Sequence, residues 1–147
     1  MWSDPNGNKH EINDVISLIN DGTHVMVGTD SQLVGGSWNL ATVICLYTPG
    51  KGGRFFYKRE KRDRTAYPNL DSRLLDEVYR SVMAADEIKA VRPNANISVH
   101  ADIASDVESA SNKSAKSALN YIKGMGFNAI IKPDSWAASS IADKVAK

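Results

Sequence analysis

A short apolar run that leads into an acidic residue constrains the fold of this chain more than any other feature. Residues 23–32 read THVMVGTDSQ, in which Val25, Met26 and Val27 have the length and β-branched character of a buried strand. Asp30 follows three positions later. Because an ionised carboxylate buried without a partner is strongly destabilising, Asp30 either begins a turn, bonding backbone N–H groups two residues on, or holds a cation.

Length and composition indicate one ordinary globular domain. The 147 residues are 42% hydrophobic and 24% charged, and they predict a single domain over 1–147. The one cysteine, Cys45, lies in an apolar run and is expected to be a core thiol in a reducing compartment. No apolar stretch approaches the roughly 18–20 residues that span a bilayer, and the first residues do not have the order of a signal peptide. We therefore expect a cytoplasmic protein without a membrane partner.

Apolar periodicity and turn residues predict the element order α-β-β-β-α-β-α-β-α. Helices are expected over residues 12–19, 69–91, 113–125 and 136–147, and strands from the first apolar run to residue 30 and over 38–47, 54–58, 97–102 and 129–131. Short loops join the first three strands, whereas helices link the last two. This order predicts an α/β fold with a mixed five-stranded sheet, antiparallel first and parallel later, covered by helices.

Two acids end expected strands. Asp30 ends the first strand and Asp102 the fourth, and a parallel pairing of those strands places both at one edge of the sheet, where open sheets form their sites. His24 and His100 precede these acids by six and two residues, so each shares a strand face with its aspartate. We expect both histidines to pack in the core or beside the site rather than to bind a metal.

The long helix offers a third acid. On a wheel of 100° per residue, Glu77 lies at the edge of the apolar stripe, whereas Asp76 points nearly opposite to it and is expected to face water. Glu77 therefore either looks toward the sheet or is a surface glutamate that pairs with Arg73 or Arg80.

The last expected helix offers a fourth acid, Asp143, which shares a face with Ser139 and Ser140. It is either a site residue or an exposed acid of a frayed helix end. Asp134 is the alternative, although its place before Ser135 is typical of a helix N-cap. Carboxylates that converge without clustered His or Cys favour Mg²⁺ or Mn²⁺ over zinc, and two such ions promote phosphodiester hydrolysis.

Positive charge is concentrated in residues 51–64, interleaved with the aromatic residues 55–57. Seven cations lie there: Lys51, Arg54, Lys58, Arg59, Lys61, Arg62 and Arg64. Such a segment suits phosphate contacts and stacking on unpaired bases. The alternative is that these charges keep an edge strand soluble.

Four segments resemble a known family. GTDSQ at 28–32, LLDEVYRSV at 74–82, VHADI at 99–103 and KPDSWAASSIADK at 132–144 are similar to the YkuK-like family of bacterial and phage proteins, predicted nucleases of the ribonuclease H-like superfamily. The resemblance covers nearly the whole chain. It implies a ribonuclease H-like fold with an extra N-terminal helix. It also implies four metal-binding, catalytic carboxylates: Asp30, Glu77, Asp102 and Asp143.

These observations lead to one main hypothesis and two alternatives. The ordered acids and the basic segment predict a Mg²⁺- or Mn²⁺-dependent nuclease that acts on RNA or an RNA–DNA hybrid. A non-catalytic nucleic-acid-binding or assembly module with the same fold is one alternative, and a small-molecule phosphohydrolase is another. The segment that follows Asp102, residues 104–109, departs from the family pattern. It is longer than in the family, acidic and without glycine, which leaves open whether Asp106 joins the site.

Overall fold

A mixed β-sheet forms the centre of the computed structural model, which describes residues 1–104 and 113–147. The strands are β1 (Trp2–Ser3), β2 (Lys9–His10), β3 (His24–Val34), β4 (Ser37–Thr48), β5 (Gly52–Asp63), β6 (Asn96–His100) and β7 (Asn128–Ile130). The helices are α1 (Ile12–Ile16), α2 (Leu70–Val91), α3 (Lys113–Gly124), a π-helix over Ala137–Ala142 and α4 (Asp143–Ala146). No helix in these two ranges is long and apolar enough to cross a membrane.

The sheet has the predicted mixed topology. Its order is β2-β1-β5-β4-β3-β6-β7, in which β3, β4 and β5 form an antiparallel meander and β6 and β7 add in parallel. The predicted α/β class, with an antiparallel part followed by a parallel part, is confirmed. The strands β1 and β2 extend the predicted five-stranded sheet. They form a two-residue pairing around a turn in which the Asp4 carboxylate accepts the N–H groups of Asn6 and Asn8, each at 2.9 Å.

The strand that carries Asp30 is longer than predicted. Its parallel pairing with β6 ends at Gly28↔His100, but its antiparallel pairing with β4 continues to Val34↔Ser37. The prediction that Asp30 ends a strand is therefore wrong: Asp30 lies within β3, opposite Ala41. Asp30 nonetheless lies two residues beyond the last pair with β6, so no strand pairs with it on the side where β6 ends. Gly28 is paired on both sides, and the register shows no bulge there.

Helices cover both faces of the sheet. On one face α1, α2 and α3 bury the main apolar core, which includes Val27, Ile44 and Phe56. On the other face the π-helix and α4 pack on a smaller cluster that includes Val43 and Cys45. Because successive side chains of a strand point to opposite faces, neighbouring residues of β3 pack against helices on opposite sides of the sheet. This alternation decides which acids meet.

Candidate active site

Asp30 lies beside Asp143 on the face covered by the C-terminal helix. Asp30 is 5% exposed, and the Gln32 side-chain amide donates to Asp30 Oδ2 at 2.9 Å and to Asp143 Oδ1 at 2.7 Å. Burial, with the nearby Asp143 charge, raises the pKa of Asp30 to about 6. Lys147 Nζ, 2.8 Å from Asp143 Oδ2, holds the pKa of Asp143 below its usual range. As the pH falls, the pair therefore takes up its first proton on Asp30, while Asp143 keeps its charge.

Glu77 reaches the same edge of the sheet from α2, on the opposite face. It is 6% exposed and accepts a hydrogen bond from Ser31 Oγ at 2.5 Å. Arg73 donates to Ser31 Oγ and to the Ser31 carbonyl, each at 2.6 Å, and its Nε lies 3.6 Å from Glu77 Oε2. Burial and the charges of Asp30 and Asp102 raise the pKa of Glu77 to about 7, against the lowering effects of Ser31 and Arg73. Glu77 therefore faces the sheet, as one interpretation of the sequence predicts, and the alternative of a surface glutamate is wrong, although the pairing with Arg73 that it included is present.

Asp102 lies two residues beyond the end of β6. Because Gly28 pairs with His100, continuing that register would place Asp102 level with Asp30. Lys132 Nζ lies 2.9 Å from Asp102 Oδ1. That oxygen is nevertheless buried, and no described residue makes a well-aligned hydrogen bond to it. Asp102 thus presents an incompletely satisfied carboxylate oxygen at the edge that Asp30 and Glu77 share.

The C-terminal helix is anchored by a histidine rather than by the predicted cap. His100 Nδ1 accepts the backbone N–H of Ala137 at 3.1 Å, and its ring packs edge-on against Trp136 at 5.1 Å between centroids. Burial lowers the pKa of His100 to about 4, opposed by the charge of Asp134, so the imidazole is neutral at pH 7. The predicted N-cap at Asp134 and Ser135 is wrong, because the π-helix begins after Trp136 with no side-chain cap of its own.

Of the two candidates for the fourth acid, the structure brings Asp143 rather than Asp134 beside Asp30. Asp134 is exposed, and its backbone N–H closes a turn onto the Ile131 carbonyl at 2.9 Å. Asp106, which the sequence left open, lies outside the described residues.

The predicted nucleic-acid-binding cations do not form one surface. Along β5, Arg54, Lys58 and Arg62 alternate with Arg59 and Lys61, so the two sets point to opposite faces of the sheet. Lys58 lies 3.5 Å from Glu60, and Arg62 lies 3.3 Å from Asp76. On the other face Arg59 donates to the Val145 carbonyl at 3.0 Å. Lys51 and Arg64 lie just outside the two ends of β5.

Asp76 is not directed to water, contrary to the prediction. Its side chain is only 15% exposed and accepts from Arg62 at 3.3 Å, from Arg80 at 3.2 Å and from the Tyr67 hydroxyl. Glu60 also pairs with Arg80. The reason is the length of β4 and β5, whose hairpin extends along α2 and covers the helix face that was expected to be solvated.

The chemistry of these acids suits a divalent cation. Within residues 1–104 and 113–147, no three Asp, Glu, His or Cys side chains are close enough to hold a metal ion as they stand. The donor set fits nevertheless, because Asp30 and Glu77 are buried carboxylates destabilised by neighbouring negative charge. Asp102 adds a buried oxygen that pairs with Lys132 Nζ at 2.9 Å but receives no well-aligned hydrogen bond from the described residues. Hard oxygen ligands of this kind match Mg²⁺ or Mn²⁺.

A family model described as ribonuclease H-like matches residues 9–147. The chain belongs to the ribonuclease H-like family. Among solved structures, the crystal structure of RNase H1 from the halophilic archaeon Halobacterium salinarum NRC-1 is similar, at 15% identity and a TM-score of 0.44, covering 82% of this chain and 96% of that chain. Comparison with curated proteins gives no match.

In this ribonuclease H-like chain, three residues that organise the acids were not among the predicted metal or substrate ligands, although the sequence analysis gave Arg73 as a possible partner of Glu77 and placed His100 in the core or beside the site. Gln32, Arg73 and His100 each contact an acid or the helix that carries one. Two had a local signal: Gln32 follows Asp30 by two residues on the same strand face, and Arg73 precedes Glu77 by four on the same helix face. His100 had no such signal for capping, because its partner lies 37 residues away in the sequence.

Proposed function

We propose that this chain is a divalent-metal-dependent nuclease that hydrolyses phosphodiester bonds of RNA or of an RNA–DNA hybrid. The observation that carries the proposal is that two nearly buried carboxylates, Asp30 and Glu77, lie at the same end of the sheet, each with a pKa raised by burial and by a neighbouring acid. A divalent cation relieves both the repulsion and the loss of solvation, so this arrangement of carboxylates favours binding of such an ion.

Asp30, Glu77, Asp102 and Asp143 would hold Mg²⁺ or Mn²⁺. When bound, such ions supply an activated water and stabilise the leaving oxygen. Gln32 keeps Asp30 and Asp143 side by side, and Arg73 holds Ser31 and thereby orients Glu77. Lys132, which is half exposed beside Asp102, is positioned to contact a substrate phosphate.

Substrate binding is assigned to the same seven cations that the sequence predicts, divided over two faces. Arg59 and Lys61 share the sheet face of Asp30 and Asp143 and would contact the strand nearest to the acids. Lys51, Arg54, Lys58, Arg62 and Arg64 would contact more distant phosphates.

Two finer assignments belong to the proposal. The four quoted motifs support membership of the YkuK-like family within the ribonuclease H-like family. The free, buried thiol of Cys45 suits a reducing, cytoplasmic compartment.

A cleavage assay with end-labelled RNA–DNA hybrid and single-stranded RNA tests the proposal. We expect cleavage in Mn²⁺ or Mg²⁺, none in EDTA, and a loss of at least about 100-fold in Asp30→Asn, because an amide is a poor ligand for these ions. Asp86→Asn, an exposed acid further along α2, is the matched control and should cleave like the wild type. Wild-type cleavage by Asp30→Asn would overturn the assignment.

The non-catalytic alternative is favoured by one observation. Lys132 and Lys147 already pair with Asp102 and Asp143, so the acids have partners without a metal. If the chain is a binding module, millimolar Mn²⁺ will leave its thermal unfolding midpoint unchanged, and hybrid will be bound but not cut. The nuclease proposal predicts a rise in that midpoint that is lost in Asp30→Asn.

A further inference from the structure

An apolar cavity of about 480 Å³ opens on the sheet face that carries the C-terminal helix. Its side-chain walls come from three strands and from the C-terminal helical segment: Met26, Cys45, Tyr47, Phe55, Trp136 and Ile141. None of the four candidate acids is among them. Small-molecule sites in proteins have volumes of roughly 300–1,000 Å³ and predominantly apolar walls. The cavity therefore has the size and the lining of such a site.

Three aromatic rings from different elements surround the cavity. Tyr47 lies on β4, Phe55 lies on β5, and Trp136 directly precedes the π-helix. The Trp136 ring packs edge-on against His100, whose Nδ1 accepts the backbone N–H of Ala137, so the indole is held in place although Trp136 is 40% exposed. Tyr47 is 45% exposed. The cavity therefore presents aromatic surface that the fold itself does not bury.

Gly53 keeps one end of the cavity open. It pairs with Tyr47, and strand alternation directs a side chain at this position to the same sheet face as the Tyr47 ring. A β-carbon added at Gly53 would lie 3.3 Å from the Leu46 carbonyl oxygen and 3.5 Å from Tyr47 Cδ1. Gly50 and Gly52, in the preceding turn, have φ values of 80° and 84°, whereas Gly53 has no positive φ that favours glycine. The missing side chain thus leaves space beside Tyr47 that the backbone conformation does not require.

Within the described part of the chain, no charged side chain points into the cavity. Arg54 borders it, but its pairing with Leu46 directs the Arg54 side chain to the opposite face of the sheet, where it packs over the Phe56 ring at 5.6 Å. No acidic residue of the same described ranges lines the cavity. A charged group that entered would lose its hydration without gaining a partner. We therefore expect the occupant to be uncharged.

We propose that this cavity binds an uncharged aromatic small molecule, whose ring lies against Trp136 and Phe55. A flat ring gains offset or edge-to-face contacts with aromatic side chains in addition to the burial of its area. The thioether of Met26 lines the same space and also contacts aromatic rings favourably. An aliphatic ligand would forgo these contacts, and a peptide or a nucleic acid strand would bring polar or charged backbone into a predominantly apolar lining. The site needs no metal and does not rest on the proposed nuclease function.

Chemical-shift mapping of the full chain in EDTA tests this site. Indole is the uncharged probe, and indole-3-acetate and tryptamine carry a negative or a positive charge on the same ring system. We expect saturable shifts with indole in the Trp136 side chain and at the amides of Tyr47, Gly53 and Ala137, the last because its N–H bonds to the imidazole on which Trp136 packs. Both charged analogues should bind at least about tenfold more weakly than indole.

Three results would overturn the proposal. The first is the absence of saturable shifts with indole at these groups. The second is an affinity for either charged analogue that equals the affinity for indole. The third is a saturable response to a short single-stranded oligonucleotide alone, which would assign the cavity to a nucleic acid strand. Because binding is read in EDTA, its failure is distinct from a failure of metal-dependent cleavage.

Substitutions then separate the cavity from non-specific contact of indole with surface rings. Trp136→Leu and Tyr47→Thr each remove one aromatic wall and should weaken binding of indole by about fivefold or more. Tyr47→Thr keeps a β-branched residue on β4, so it provides the test if loss of the contact between Trp136 and His100 impairs folding. The control, Tyr79→Leu, removes a ring that is 50% exposed on α2 and should bind like the wild type. Equal weakening by the control, or wild-type affinity in both cavity variants, would overturn the proposal.

Discussion

At the scale of single residues, Glu77 carries a pH dependence whose sign can be worked out. Burial, with the charges of Asp30 and Asp102, raises the pKa of Glu77 from 4.5 to about 7 in the folded protein. The folded state therefore binds this proton more tightly than the unfolded chain does. The contribution of Glu77 to the free energy of unfolding falls as the pH rises through that interval.

Glu77→Gln tests this sign. Relative to the wild type, the variant should gain free energy of unfolding between about pH 4.5 and pH 7, by on the order of 3 kcal/mol if no metal is present. Urea denaturation in EDTA across that range measures the difference. Glu87→Gln removes an exposed acid from the same helix and serves as control. A constant offset between Glu77→Gln and wild type at all pH values would contradict the account.

Gln32 is the residue that makes two adjacent carboxylates tolerable without a metal. Its amide nitrogen donates to both Asp30 and Asp143, so Gln32→Ala should lower the free energy of unfolding by about 1–3 kcal/mol in EDTA. Mn²⁺ should restore more stability in this variant than in the wild type, because the ion replaces the lost donors. Chemical denaturation with and without Mn²⁺ measures both quantities.

Asn39→Ala is the control for that experiment. Asn39 Nδ2 donates to the Ala146 carbonyl at 3.4 Å, so the variant touches the same terminal helix without touching the acids. Asn39→Ala should lower the free energy of unfolding only slightly, and Mn²⁺ should not restore this loss. If Mn²⁺ restores Asn39→Ala and Gln32→Ala equally, the bridging role of Gln32 is wrong.

At the scale of elements, the β4–β5 hairpin is fixed to α2 by a charged network at Asp76. Asp76 accepts hydrogen bonds from Arg62, Arg80 and Tyr67 and is mostly buried. Replacing Asp76 by Asn removes the charge that two guanidinium groups share, and should cost about 2–4 kcal/mol in the free energy of unfolding.

Thermal and urea unfolding of Asp76→Asn, with the exposed Asp86→Asn on the same helix as control, measure that cost. We also expect faster amide exchange in the C-terminal half of β5 in this variant, because the network at Asp76 links that half of the strand to α2. Identical stability of Asp76→Asn and Asp86→Asn would show that the network is only a surface feature.

The β4–β5 hairpin explains why the helical wheel of α2 wrongly predicted that Asp76 faces water. Helical periodicity correctly places Val78, Val82 and Ile88 in the core and Glu77 at its edge. It treats the remaining face as solvated, which holds only when no other element covers it. The covering strand β5 was predicted to end at residue 58 but continues to Asp63, because paired polar residues in a long hairpin have no apolar alternation to reveal them.

At the scale of the whole molecule, topology brings the four acids to the same end of the sheet. The order of helices and strands, and the parallel pairing of β3 with β6, could be predicted from the sequence, and with them the placing of Asp30 and Asp102 at one edge. The bridge by Gln32 and the His100 cap could not, since each depends on a side chain meeting a partner 111 or 37 residues away. The two N-terminal strands are too short to show a period.

Anomalous diffraction from a crystal soaked in Mn²⁺ tests the central claim most directly, since it locates the ion without assuming a substrate. The account predicts at least one anomalous peak within bonding distance of Asp30, with further ligands drawn from Glu77, Asp102 and Asp143, and no such peak in Asp30→Asn. Fully occupied Mn²⁺ sites elsewhere in the crystal, with no anomalous peak at Asp30, would contradict the account.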